Sequence, residues 1–486
     1  MAEFQTNQFI NNEYVPATTN EALSIFNPSD DSLVTDAVQV ASPTDIDAAV
    51  TAAKRAFPSW AALPGRDRAA CMLKFADLLE QHAERLAKLE SIAMGLPIIA
   101  AAGVGRGPAA LWRFYASYAG RIAGESYPPD GDGTYKIVQY EPLGVCAGIA
   151  AWNATHVLAA WKMAPALAAG NTFVFKPSEK SPLGALAYGD LIKEAGFPPG
   201  VINIVTGAGS VGAHLASHMQ IAKIAFTGSA AAGRAVQIAA ARSNLKHVSL
   251  ELGGKSPSLI FDDADLDNAV EANSSGFLRN TGQICFAASR VLVQEGIAAE
   301  FVKKLKFAFE NASGKMGDAS SATTAIGPLA DRAQFERVMS FLEGAKAEGT
   351  EVLVGGNRLG DKGAFVQPTV LLNPAVDSRV FTEEIFGPVL CLRTFKTEEE
   401  AIGLANGTEY GLGSAIYTSD ISRALRLAGK IEAGTVSINA AFNTSIHTPF
   451  GGIKQSGYGR ESGIEGLRGY LNIKTIHVNL NVPKRT

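Results

Sequence analysis

From residue 144 to residue 228 the chain alternates short apolar runs with helical segments, and few architectures accept that pattern. The runs are GVCAGIAAW (144–152), NTFVFKP (171–177), GVINIVTG (200–207) and AKIAFTG (222–228), each bounded by Gly, Pro or Asn. Runs this short and continuously apolar are the pattern of strands buried on both faces, as in a parallel sheet. Segments with helical spacing lie around 160–169, 182–195, 210–219 and 230–241. Repeated β-α order predicts a doubly wound α/β sheet. A second series begins near residue 255, with strands expected at 256–261, 290–294, 388–395, 412–417 and 434–439.

Other segments stand apart from this repeat. Residues 66–90 carry apolar positions at three- and four-residue spacing, the mark of one amphipathic helix. Residues 124–142 are polar and turn-rich, then strand-like, and fit an arm projecting from the first unit. A length of 486 residues exceeds one ordinary core and implies two or three domains. A net charge of −4 without a basic stripe argues against nucleic acid as a partner. No apolar stretch reaches the ~18–20 residues that span a membrane, and no signal peptide or lipidation motif is legible. The four cysteines are sparse and irregularly spaced, so neither a disulfide framework nor structural zinc is expected, and a reducing cytoplasm is the simplest home.

Three cysteines, Cys71, Cys146 and Cys391, fall on apolar faces and read as core. Cys285 follows a polar turn, Arg279-Asn280-Thr281-Gly282-Gln283, and precedes Ala287-Ala288-Ser289. Small neighbours let a substrate approach, so Cys285 is a candidate nucleophile, provided its site lowers its pKa below ~8.5. Glu251 closes an apolar strand (248–252) before Gly253-Gly254. It is either a solvated strand end or a general base at the carboxyl edge of a sheet.

Gly207-Ala208-Gly209-Ser210-Val211-Gly212 matches G-x-G-x-x-G, yet no acid follows anywhere from 213 to 250, so the usual dinucleotide fingerprint fails. Phe226-Thr227-Gly228-Ser229 with Gly233 ends a strand and opens a helix whose N–H groups can hold an anion. Lys176-Pro177-Ser178-Glu179 supplies a cation and a carboxylate at another strand end. His214 and His218 lie one helical turn apart without an acid in sequence reach, so no metal is assigned to them.

Together these segments resemble the aldehyde dehydrogenase superfamily over nearly the whole chain. The matching stretches are Trp152-Asn153, Lys162…Pro165-Ala166-Leu167…Gly170-Asn171, Lys176-Pro177-Ser178-Glu179, Phe226-Thr227-Gly228-Ser229 and Glu251-Leu252-Gly253-Gly254-Lys255. They continue with Gly282-Gln283-Ile284-Cys285, Glu384-Ile385-Phe386-Gly387-Pro388 and Pro449-Phe450-Gly451-Gly452. The resemblance implies two doubly wound, Rossmann-like α/β domains with a β oligomerisation arm. The implied division is 1–123 with 143–253 for cofactor binding, 254–455 for catalysis, and 124–142 with 470–486 for the arm and tail.

It further implies NAD-dependent oxidation of a small-molecule aldehyde to the acid, with NAD favoured over NADP and no metal. Cys285 would be the nucleophile, passing through a thiohemiacetal and a thioester, and Glu251 the base that activates water. Asn153 would complete an oxyanion hole with the Cys285 N–H, and Lys162 and Glu461 would assist proton movement. Trp152, Lys176, Ser178, Glu179, Gly209, Phe226, Thr227, Gly228 and Ser229 would bind the cofactor, with Lys176 and Glu179 at the adenosine ribose, Gly209 near the adenine and Ser229 at the pyrophosphate. Glu384, Phe386 and Gln334 would meet the nicotinamide ribose and ring. A homodimer or homotetramer is expected.

The family often reads Pro-Trp-Asn-Phe-Pro where this chain has Ala151-Trp152-Asn153-Ala154-Thr155. An aromatic residue of the substrate tunnel has become Ala154, while Trp161, Phe286, Phe442 and Phe450 remain for its walls. The expectation is a preference for bulky or aromatic aldehydes, with His156 pointing either into the tunnel or away from it. A CoA-acylating enzyme of the same fold is disfavoured by Glu251, and an inactive structural protein by the intact set of site residues.

Overall fold

The computed structural model describes residues 4–441 and 444–481. The four apolar runs of the first series are strands Val145–Ile149, Thr172–Lys176, Ile202–Ile204 and Lys223–Thr227, followed by His247–Glu251. All five are parallel, in the spatial order 202–204, 172–176, 145–149, 223–227, 247–251. The chain therefore winds outward one way from Val145–Ile149, then returns to that strand's other side. That reversal leaves a crevice at the carboxyl ends, where ligands bind in such sheets.

Three short antiparallel strands complete this sheet of eight. Gln8–Ile10 and Glu13–Val15 add to one edge and Gly457–Tyr458 to the other. The sequence pattern did not predict these, because two or three residues are too few to show a period. The second sheet has seven strands, in the order 351–354, 369–372, 389–395, 290–294, 257–260, 413–417, 435–438. Its members are parallel except at the Glu351–Val354 edge. Leu252–Ser256 crosses from one sheet to the other.

Residues 66–90 form two helices, Gly65–Gln81 and Ala83–Met94, rather than one. The break is at His82, whose φ of −100° and ψ of 12° leave the helical region. Apolar spacing persists across such a kink and so hides it. Cys146 and Cys391 are fully buried, whereas Cys71 is half-exposed, with its thiol on the Gly196 carbonyl. The arm segments pair with each other: Thr134–Pro142 runs antiparallel to Leu471–Asn479 over nine residue pairs, and Glu125–Tyr127 adds a third strand. Ile473, Val478 and Leu480 stand exposed at this sheet. Residues 482–486 of the expected tail lie outside the described residues.

Candidate active site

Strand register assembles the first part of the site. Lys176, Thr227 and Glu251 are the last residues of three parallel strands, and Thr227 is the register partner of Glu251. Ile149, paired with both Lys176 and Phe226, ends the strand between them. Each mostly apolar run stops where the sheet meets the crevice, so the polar residue that ends it is delivered there. The helix Ala230–Arg242 starts beside them, with Ser229 as its N-cap accepting the Ala232 N–H at 3.3 Å. Gly233 lets this helix close on the crossing segment, since a Cβ there would come within 2.6 Å of Leu252.

The crevice is a cleft of about 780 Å³. Its walls include Trp152, Asn153, Lys176, Ser178, Glu179, Gly209, Phe226, Thr227, Gly228, Ser229, Glu251, Cys285, Gln334, Glu384 and Phe386. Residues from both sheets, more than 230 positions apart in sequence, thus share one cavity. Lys180, Arg337 and Tyr410 also line it and carried no sequence signal. Lys180 bridges the two sides: it pairs with Asp331 at 2.7 Å and lies 5.3 Å from the centre of the Trp152 ring.

On the cleft wall, Lys176 Nζ lies 3.6 Å from Glu179 Oε2, and Glu179 is substantially exposed. Burial holds the Lys176 ammonium below its ordinary value, with Glu179 opposing. Elsewhere on the wall, Glu384 Oε1 accepts the Gly254 N–H at 3.0 Å, and burial pushes this carboxyl up to about 7. Phe386 adopts a left-handed backbone (φ 61°) and meets the Trp152 ring edge-on at 5.3 Å. Gln334 spends its amide on bracing this turn, donating to Phe386 O at 2.8 Å and Ile385 O at 3.3 Å.

Cys285 follows a turn in which Asn280, Thr281 and Gly282 all have positive φ. Its thiol is not lowered, as the nucleophile reading required. Burial, then the Glu251 and Glu384 carboxylates, hold it well above its ordinary value, against weaker help from the Phe286 and Cys285 backbone. The cause is placement: a thiolate there would sit between two acids out of water. Glu251 is itself raised well above an ordinary carboxylate, by burial and then by the Glu461 charge, with Lys162 and Arg460 opposing. Behind it, Lys162 Nζ donates to Glu461 Oε1 at 2.5 Å and to Thr227 Oγ1 at 2.7 Å. This ion pair is buried and sits outside the cleft wall.

Asn153 donates its side-chain amide to Gln283 O at 3.0 Å, two residues before the thiol. Ala154 is half-buried at the N-cap of the helix Thr155–Ala168. It packs with Phe286 and Phe114 against the core that holds Trp161 and Phe450. Phe450 contacts Trp161 at 4.9 Å and Phe286 at 5.8 Å between ring centres. Phe442 lies outside the described residues. His156 points away: its Nδ1 meets the Tyr188 hydroxyl at 2.6 Å, and its Nε2 lies 3.6 Å from Glu90. Phe114 stacks edge-on against His447 at 5.3 Å, a contact between helix and loop that spacing did not announce. His214 and His218 do have an acid neighbour, contrary to the sequence reading. Asp47 Oδ1, from a distant helix, lies 3.1 Å from His218 Nε2 and 3.6 Å from His214 Nε2.

The cleft's lining suits a dinucleotide: it carries the carboxylates of Glu179, Glu251 and Glu384, the cations of Lys176, Lys180 and Arg337, and several glycines that permit close approach. Among the described residues, no helix is long and apolar enough to cross a membrane. Residues 14–476 match the model of the aldehyde dehydrogenase family. The chain is 45% identical to human retinal dehydrogenase 2 over 98% of its own length and 92% of that protein's. It is 44% identical to an aldehyde dehydrogenase of Davidiella tassiana, over 98% of this chain and 96% of the relative. Among solved structures, PnpE in complex with nicotinamide adenine dinucleotide superposes with a TM-score of 0.95 at 41% identity, covering 99% and 98% of the two chains. Betaine aldehyde dehydrogenase from Staphylococcus aureus, in complex with NAD+, also reaches 0.95 at 36% identity, covering 99% of each chain. A Rossmann-type cleft between two parallel sheets, matched along nearly its entire length by such proteins, makes this chain a member of the aldehyde dehydrogenase family, an NAD(P)-dependent oxidoreductase acting on aldehydes.

Proposed function

We propose that the protein oxidises bulky or aromatic aldehydes to carboxylic acids with NAD, through a thioester on Cys285 that Glu251 hydrolyses. The observation that supports this reading is that Cys285, Glu251 and Asn153 line the same cleft as Glu179 and Lys176. The proposed division of the chain is 1–123 with 143–253 for the cofactor, 254–455 for the thiol, and 124–142 with 470–486 for assembly. Light scattering is expected to give a homodimer or homotetramer.

Cys285 Sγ forms a bond to the carbonyl carbon, and the carbonyl π electrons move to oxygen. The thiol proton leaves to solvent in the cleft, and Glu251, whose burial gives it a proton affinity far above an exposed carboxylate's, is kept for the second half-reaction. An amide carries two N–H groups; one of Asn153's goes to Gln283 O, and the other is free to meet the oxyanion together with the Cys285 N–H. When bound, the nicotinamide ring supplies the hydride acceptor. Glu251, ionised, then takes a proton from water, which attacks the thioester carbon; the C–S bond breaks and the leaving sulfur takes that proton from Glu251, regenerating both groups. Lys162 and Glu461 hold charge behind Glu251 and set its proton affinity.

Glu179 favours NAD, because its carboxylate can accept hydrogen bonds from both ribose hydroxyls and would repel a 2′-phosphate. Ala154 leaves room beside Trp161, Phe286 and Phe450, whose faces suit a ring-bearing substrate. A relative named for retinal is consistent with an apolar substrate. The test is NADH formation by the purified protein with benzaldehyde, longer aldehydes and acetaldehyde; acetaldehyde preferred over benzaldehyde removes the substrate reading.

A further inference from the structure

We propose that Asn280 is a positioning residue that sets where the Asn153 amide stands relative to the Cys285 thiol; this rests on the oxyanion role given to Asn153 above. Asn153 sits at the cleft end of the first sheet, on the segment entering the helix Thr155–Ala168. Cys285 belongs to the loop before strand Arg290–Gln294 of the second sheet. The two halves of an oxyanion hole therefore come from separate sheets, and some contact must fix their distance. A displacement of about 1 Å in such a site can cost ~10²-fold in rate.

Asn280 makes that contact. Its Nδ2 donates to Asn153 O at 3.0 Å and to Gln283 O at 3.3 Å. Gln283 O also accepts the Asn153 side-chain amide at 3.0 Å. One carbonyl two residues before the thiol thus gathers both amides, while Asn280 holds the Asn153 backbone from the other side. The cluster ties the two loops at backbone and side chain together.

The turn that aims Asn280 is held at a cost. Asn280 and Thr281 have φ of 49° and 58°, a left-handed region that side chains disfavour and that asparagine tolerates better than most. A β-branched residue there is a genuine outlier. Thr281 is anchored by its hydroxyl on Gly327 O at 2.9 Å. The fully buried Gln283 side chain donates to Asn280 O at 3.0 Å and accepts the Ala330 N–H at 2.9 Å. Asparagine alone among the common residues suits both demands, a left-handed backbone and a short amide that donates twice.

Asn280→Gly separates them, since glycine accepts the positive φ and removes only the amide. The measurement is the pre-steady-state burst of NADH with benzaldehyde at saturating NAD, for wild type, N280G, N153A and the double variant, alongside cofactor binding and thermal stability of each. N280G is expected to slow the burst by about tenfold or more with NAD affinity unchanged. In the N153A background the same change should alter the burst by less than about threefold, because the residue through which Asn280 acts is gone. An equal slowing in both backgrounds makes Asn280 a merely structural residue and overturns the proposal. A wild-type burst in N280G, with N153A slow, overturns it alone. A wild-type burst in N153A overturns the oxyanion reading itself, and the proposal with it. Should N280G not fold, Asn280→Asp, which tolerates the same backbone and cannot donate, carries the same cycle.

Discussion

Lys162 Nζ touches Thr227 Oγ1, the register partner of Glu251, so the cation that lowers the base's proton affinity is held by the strand end beside it. Glu461, on the other side of that ammonium, acts in the opposite sense. The pH dependence of deacylation follows from this balance. Glu251 must be ionised to accept a proton from water, so turnover should rise with pH through a midpoint above the ordinary carboxylate range. Glu461→Gln removes the neighbouring negative charge and leaves Lys162 unpaired; both effects lower the midpoint. Lys162→Met does the reverse. kcat against pH for the three enzymes checks the order, and a common midpoint refutes it.

Two substitutions separate the half-reactions. Cys285→Ala should abolish NADH formation. Glu251→Gln should retain a burst of NADH and lose ~10²-fold or more in steady-state turnover, because only hydrolysis of the thioester is crippled. Rapid-mixing absorbance distinguishes the two, and a Glu251→Gln enzyme with normal turnover would remove Glu251 from the mechanism.

Glu179 makes cofactor choice testable. Glu179→Ser takes away the carboxylate that would oppose a 2′-phosphate and leaves Lys176 within reach. The ratio of kcat/KM for NADP over NAD should rise by about tenfold or more. A ratio unchanged by the substitution places discrimination elsewhere in the cleft.

Ala154→Phe tests the roomy tunnel. The variant should lose kcat/KM for ring-bearing aldehydes and keep it for acetaldehyde. Equal losses for both would mean that neighbouring side chains already fill the space.

Behind the helix that carries Ala154, Glu90 is buried with its carboxyl pushed up to about 8, and burial pushes its neighbour His156 down to about 3. The folded protein therefore holds the Glu90 proton where the unfolded chain releases it. This group's contribution is fully present below the unfolded value near 4.5 and is lost as pH rises toward 8, by about 1.4 kcal/mol per pH unit across that window. Glu90→Gln, which still offers an oxygen to the Thr155 hydroxyl, should gain stability over wild type as pH rises. Thermal unfolding at about pH 5 and about pH 9 is the check; a stability difference independent of pH defeats it.

What could be read from the chain and what could not divide along a physical line. Lys176, Thr227 and Glu251 were legible because each is the polar residue that ends a mostly apolar strand where it reaches the crevice. The substitution of Ala154 was legible as a missing ring within a recognisable segment. The kink at His82 was hidden because both helices keep one apolar stripe. Asp47 beside His214 and His218, and the bond from Asn153 to Gln283, join residues 130 or more positions apart, and no local pattern encodes them. The raised thiol of Cys285 was missed for the same reason: burial by residues from other segments comes first among its causes, and the Glu251 and Glu384 carboxylates add to it.

The strand Gly457–Tyr458 pairs with Leu250 and Glu251 and closes the sheet at the Glu251 edge. During synthesis, that edge waits until some two hundred further residues have left the ribosome. The nascent first unit therefore carries an open edge and a solvated carboxylate while the second is being made, a state prone to pairing with other chains. Chains that terminate before residue 457 should accumulate in aggregates rather than as a small folded cofactor-binding fragment. Quality control in the cell would then tie the appearance of the base to completion of nearly the whole polypeptide.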